Sequence, residues 1–158
     1  MKLDIIKLII SLVITLVAGF IGSFATSQSV KTWYLEINRP PITPPNWIFA
    51  PVWTALFILM GISFYLVWQK GIDYPGVKVA IIIFIIQLVL NVLWSFSFFA
   101  LRSPKIGFVN ILILWIMILI TIIRFIKIAP VAGYLMIPYI LWVSFASILN
   151  AWIMVLNQ

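Results

Sequence analysis

Polar positions gather in four gaps along this chain, and between them run five long apolar stretches: residues 5–26, 47–68, 79–101, 106–126 and 131–156. Each is near the ~20 residues that a helix needs to cross a hydrocarbon layer ~30 Å thick. Charge or proline marks every gap, and three of the four are ten residues or shorter. Connections that short make successive helices antiparallel neighbours. The pattern predicts an all-α integral membrane protein: a bundle of five transmembrane helices forming a single domain over residues 1–158, with its termini on opposite sides of the bilayer.

The first gap, residues 27–46, differs from the others in length and content. Pro40, Pro41, Pro44 and Pro45 fix backbone dihedrals and forbid a long helix there. Trp33, Tyr34 and Trp47 bring aromatic bulk suited to the membrane interface. The segment reads either as an interfacial connector or as a semi-rigid lid over the bundle mouth, because proline reduces the entropy lost on ordering. The first apolar run has the look of a secretory signal, with Lys2 ahead of it and Ser23, Phe24 and Ala25 near its end. It is longer than the ~7–15 residues of a typical signal core. It also carries Ala18, Gly19 and Gly22, small residues that let helices approach closely. A retained first helix is therefore expected.

Composition agrees with a bilayer as solvent. The chain is 65% hydrophobic and 8% charged, with a mean hydropathy of +1.25, where soluble domains are about half apolar and about a quarter charged. A domain this small exposes too much surface to hide that excess in a water-soluble core. Cysteine and histidine are absent, which removes disulfide and thiol chemistry, the usual zinc ligands, and a His or Cys axial ligand to haem iron. The net charge of +7 comes from basic residues scattered around the apolar runs. That is where Lys and Arg anchor helix ends. With no contiguous basic face, nucleic acid is not a partner. With the N-terminus inside, Lys2, Lys7, Lys70, Lys78, Arg124 and Lys127 lie on the inner side and Lys31, Arg39, Arg102 and Lys105 on the outer. The positive-inside rule thus leans slightly towards a cytoplasmic N-terminus.

Apart from Asp4, Lys7 and Arg124 near span ends, no acid or base lies within the apolar runs. Ion- and proton-coupled transporters place such groups at depth, and general acid–base catalysis needs them too. The polar residues that do occur are neutral and share faces. Gln87, Asn91, Trp94, Ser95 and Phe98 recur at helical spacing on the third run, as do Trp142, Ala146, Leu149 and Asn150 on the fifth. Trp53 on the second lies about one turn below the proline-rich segment. Two readings stay open on spacing alone. The amides are hydrogen-bonding links between helices, or they orient a guest in a tryptophan-walled cavity.

Trp33-Tyr34, Arg39-Pro40, Pro44-Pro45, Trp47 and Pro51-Val52-Trp53 together resemble the opening signature of the TspO/MBR family, the tryptophan-rich sensory proteins, known in mitochondria as translocator protein or peripheral benzodiazepine receptor. Further matches follow in order: Gly19 to Ser23, Tyr65 to Trp68, Gln87-Leu88, Asn91, Trp94, Phe98-Phe99, Pro138-Tyr139, Trp142, Phe145-Ala146 and Leu149-Asn150. The resemblance implies a multi-pass protein of a prokaryotic cell membrane, a five-helix bundle of a kind that is often a homodimer, with a pocket opening beneath the first loop. It implies binding of porphyrins, haem and other hydrophobic small molecules as ligands, with no cofactor required. Carried over by position, Trp53, Asn91, Trp94, Ser95, Trp142, Ala146 and Leu149 line the pocket, with Tyr34 and Pro44 contributed by the loop.

The chain departs from the family pattern in places. Pro41 and Ile42 stand where the loop usually has a small residue and a tryptophan. The stretch from Trp152 to Gln158 lacks the tyrosine and following base of the carboxy-terminal sterol motif, so no sterol site of that kind is expected. Bulky residues such as Ile83 replace the small ones of the third-span dimer contact. The leading expectation is a membrane receptor or sensor for porphyrins. The alternative is light- or oxygen-dependent porphyrin breakdown, with Trp53 and Trp142 as candidate catalytic residues, and a further alternative is tetrapyrrole transport.

Overall fold

The computed structural model describes residues 3–158, so Lys2, used above in reading charge and the first run, lies outside the described residues. The fold is helical: α1 (Ile5–Val30), α2 (Trp33–Glu36), α3 (Phe49–Trp68), α4 (Val77–Ser95), α5 (Pro104–Ile128), α6 (Pro130–Leu135) and α7 (Ile137–Leu156). Five helical units are long and apolar enough to cross a membrane: α1, α3 with its leading turn, α4 with its trailing turn, α5, and α6 with α7. Around the ring, α1 packs on α3 and α4, α4 on α5, α5 on α6 and α7, and α6 back on α3.

Helix ends follow local chemistry. The Asp4 carboxylate accepts from the Lys7 N–H at 3.1 Å, capping α1, and the Asp4 N–H donates to the Tyr65 hydroxyl at 3.2 Å, tying that cap to the end of α3. Ser103 caps α5 in the same way, with Pro104 at its first position. Gly76 turns the chain into α4 at φ +86, a conformation that needs no Cβ.

In three places the elements differ from a plain reading of the apolar runs. The polar stretch from Ser27 to Val30 continues α1 instead of opening the loop, because the Ser29 hydroxyl donates at 2.6 Å to the Phe99 carbonyl on the neighbouring helix. That carbonyl belongs to a π turn, Phe96–Ala100, closed by the Leu101 N–H on the Phe96 carbonyl at 2.8 Å. The wider turn rotates Phe98 and Phe99 into the bundle, where both are buried. The fifth span breaks into α6 and α7 at Met136. Pro138 has no N–H to give Tyr134 and its ring crowds that carbonyl, and the Ala132 carbonyl instead accepts from Ser63 Oγ at 2.7 Å.

The buried face of α1 is Ser11, Thr15, Ala18, Gly22, Ala25 and Ser29, a seam of small residues at alternating four- and three-residue spacing. Small residues let backbones approach closely where lipid supplies no hydrophobic drive to associate. On α3, Gly61 meets this seam. A Cβ there would stand 2.8 Å from Thr15 Oγ1 and 3.0 Å from the Leu12 Cα. At the end of the bundle away from the loop, Trp68, Phe64, Phe84 and Phe125 stack in a column with ring centroids 5.8, 4.8 and 5.6 Å apart. This half is solidly packed.

Gly61→Val is expected to push α1 off α3, since the obstructing atoms include backbone. Overpacking of this kind costs about 1–3 kcal/mol, to be seen as a lowered midpoint in detergent-solubilised thermal unfolding followed by circular dichroism, with Ile82→Val on the exposed face of α4 as a control that leaves the α1–α3 contact intact.

Candidate functional site

Beneath the loop the bundle does not close. A cavity of about 460 Å³ lies between α1, α3 and α4, with Gly19, Ser23 and Thr26 on one wall, Trp53, Thr54 and Phe57 on the second and Asn91, Trp94 and Ser95 on the third. Lys31, Asn46 and Phe49 frame its loop end and Leu16 its depth. Small-molecule sites commonly enclose about 300–1,000 Å³. Leu16, Phe20, Ser23, Ser27, Ala50 and Thr54 line the cavity and are also exposed, so it is open sideways along the α1–α3 seam, within the membrane-spanning segments.

The wall rings are held from behind. Trp53 lies 5.8 Å from Phe57, 6.2 Å from Trp94 and 6.3 Å from Tyr139 between centroids. Trp94 stacks on Phe98 at 5.8 Å, and its indole N–H donates to Asn150 Oδ1 at 3.1 Å. Asn150 in turn donates from Nδ2 to the Pro104 carbonyl at 2.7 Å. One turn deeper, Asn91 Nδ2 donates to the Tyr139 hydroxyl at 2.9 Å, and that hydroxyl donates to Gln87 Oε1 at 3.0 Å. All three amides therefore take the inter-helix role that their spacing allowed, and Asn91 also borders the cavity.

The loop is pinned above this region. Tyr34 of α2 is buried with its ring 6.3 Å from Phe98 and 5.7 Å from Phe99, and the Arg39 guanidinium sits 5.0 Å above it. Burial pushes the Tyr34 phenol above its ordinary pKa of 10.0, and the Arg39 charge and hydrogen bond partly offset this. A second anchor joins the loop to the end of α7. The Asn38 N–H donates to Asn157 Oδ1 at 3.0 Å, and Asn157 Nδ2 donates to the Asn38 carbonyl at 2.9 Å.

The structure brings Trp53, Asn91, Trp94 and Ser95 onto one cavity. The other residues expected at the site lie elsewhere. Tyr34 is a buried plug under the loop, and Pro44 borders a separate shallow cleft among loop residues. Trp142 packs on Phe145 at 5.6 Å and reaches the cavity only through Phe49, 6.2 Å away. Ala146 and Leu149 pack within the bundle. The α1 wall was missed by sequence reasoning, although a signal for it exists. Gly19, Ser23 and Thr26 form a second small or hydroxylated column one position on from the buried seam. Lipid-facing columns of α1 carry Val13, Val17, Ile21 and Phe24. A column without bulk borders space.

The TspO/MBR family model matches residues 11–156. The chain is similar to "Tryptophan-rich protein TspO" of Archaeoglobus fulgidus, 44% identical over 156 residues, covering 98% of this chain and 99% of the relative. It is 34% identical over 134 residues to "Translocator protein" of Ovis aries, covering 84% and 79%. It is 31% identical over 125 residues to "Tryptophan-rich sensory protein" of Cereibacter sphaeroides, covering 79% and 77%.

The Tyr34 shift has a pH consequence. A phenol whose folded pKa is raised binds its proton more tightly in the folded state, so its contribution is fully present below the unfolded value of 10.0 and is lost as pH rises above it. Thermal midpoints should hold level up to that pH and fall beyond it, and Tyr34→Phe should flatten part of that alkaline fall. An unchanged alkaline limb in Tyr34→Phe would count against the assignment.

Proposed function

This chain belongs to the TspO/MBR family and is a multi-pass cell-membrane protein, and from that premise and its cavity we propose that it is a receptor or sensor that binds porphyrins and related flat hydrophobic ligands. The observation that carries the proposal is the pair of indoles, Trp53 and Trp94, 6.2 Å apart and tilted by 36° on adjacent walls of a largely apolar cavity. Ring faces held this way stack on a macrocycle, each contributing about 0.5–1.5 kcal/mol beyond buried area. Because Phe57, Tyr139 and Asn150 already fix the two indoles, little side-chain entropy is lost on binding. The names of relatives, sensory protein and translocator protein, agree with a ligand-binding role.

The acids and bases that coupled transport or acid–base chemistry would need are absent from the cavity wall, where Lys31 at the mouth is the one charged residue. Asn91 and Ser95 supply neutral polar edges, and Trp142 acts at one remove by supporting Phe49. A second reading is favoured by the same pair of indoles. Light absorbed by a bound porphyrin would draw an electron from Trp53, and Trp94 alongside could share the oxidation.

Titration with protoporphyrin, followed by the Soret band, tests the first reading. Trp53→Ala and Trp94→Ala should each weaken binding about fivefold to tenfold, as loss of one stacking face implies, while Trp142→Ala changes it little. Unchanged affinity in the Trp53→Ala, Trp94→Ala double variant would overturn it. Illumination of the loaded protein tests the second, which requires a bleached product in the parent chain that disappears in Trp53→Phe.

A further inference from the structure

Hydrogen-bond donors along the depth of the cavity are largely engaged within the protein. Thr54 Oγ1 donates to the Ala50 carbonyl at 2.8 Å, Thr26 Oγ1 to Gly22 at 3.3 Å, Ser23 Oγ to Phe20 at 2.6 Å and Ser27 Oγ to Phe24 at 3.4 Å. The Asn91 amide is held by Tyr139 and the Trp94 indole by Asn150. Trp53 and Ser95 offer neutral donors only. An ionised group therefore has no counter-charge in the depth, and burying it there unpaired is costly.

The loop end is different. Lys31 follows directly on the last residue of α1, is exposed and lines the cavity. Among the described residues, ion pairs join Lys7 to Asp4 and Lys78 to Asp73, and none reaches Lys31. Asn46 lines the same cavity. From Leu16 to Lys31 is 15 residues of helix, about 22 Å at 1.5 Å per residue. The cavity thus grades from apolar depth to a single cation at the level where α1 ends. Its open flank along the α1–α3 seam reaches both ends.

On the reading that this cavity binds porphyrins, we propose that Lys31 selects its ligand, pairing with a carboxylate at the mouth while the apolar body enters sideways from the bilayer and lies against Trp53, Trp94 and Phe57. The shared chemistry is an acid group on an apolar body, which a porphyrin propionate and a free fatty acid both offer. Lys31 is then a specificity residue, separate from the indole wall that supplies most of the contact.

The test uses the full chain in phosphatidylcholine vesicles, titrated with protoporphyrin and with its dimethyl ester. The parent chain should favour the diacid by about tenfold, the effect of one charge-assisted pair in a partly desolvated site. Lys31→Gln should bring the diacid down to the ester's level while leaving the ester unchanged, and Lys31→Arg should keep the preference. A preference that persists in Lys31→Gln overturns the proposal. Equal binding of acid and ester by the parent chain overturns it but leaves the porphyrin reading standing, whereas binding of neither removes both. Oleate separates the two sources: Lys31-dependent displacement of protoporphyrin supports the pairing with a lipid acid as ligand, and failure to displace supports it with the porphyrin acid.

Discussion

The bundle depends on hydrogen bonds made across its centre with no water to share. The helices α4 and α7 face each other across the ring, and what joins them is chiefly polar: Asn91 and Gln87 on the Tyr139 hydroxyl, and the Trp94 indole on Asn150. In hydrocarbon an unpaired amide or indole N–H has no solvent to fall back on. Each group therefore fixes the rotation of its helix as well as its side chain. Asn150 extends the constraint to α5 by donating to the Pro104 carbonyl. Trp115 adds a parallel link, its indole N–H donating at 2.8 Å to the Ser144 hydroxyl.

Those cross-links divide the molecule along its length. Away from the loop, stacked rings from Trp68 to Phe125 fill the interior, and α1 lies against α3 without intervening bulk. Towards the loop, α1, α3 and α4 leave the cavity between them. Rigidity in one half allows an opening in the other without loss of the fold. The wall rings are pre-set because their polar atoms are fastened behind them, so the cavity needs no guest to keep its shape.

Much of this is written in the sequence, and the remainder is absent from it for identifiable reasons. Hydropathy alone gives the five spans, because only helices of about 20 residues satisfy a backbone in lipid. The face of α4 carrying Asn91, Trp94 and Ser95 follows from a period of 3.6. That period fails at Phe99, where the π turn inserts an extra residue and re-aims the ring. Resemblance placed Trp142, Ala146 and Leu149 beside the cavity; in this chain Phe49 stands between Trp142 and that space. The extension of α1 to Val30 could not be read from Ser27 and Ser29, polar residues whose helical state rests on one bond to a distant carbonyl. Nor could Lys31 be singled out, since a lysine at a span end ordinarily anchors a helix in the head groups.

The clasp between Asn38 and Asn157 joins two points far apart in the chain through reciprocal amide–backbone bonds. It makes the proline-rich loop and the last turn of α7 one mechanical unit on one side of the membrane. A guest large enough to lift the loop must also unfasten that turn, since Asn157 otherwise holds both ends. Any movement of the loop would thereby be felt at the last turn of α7, on the same side of the bilayer.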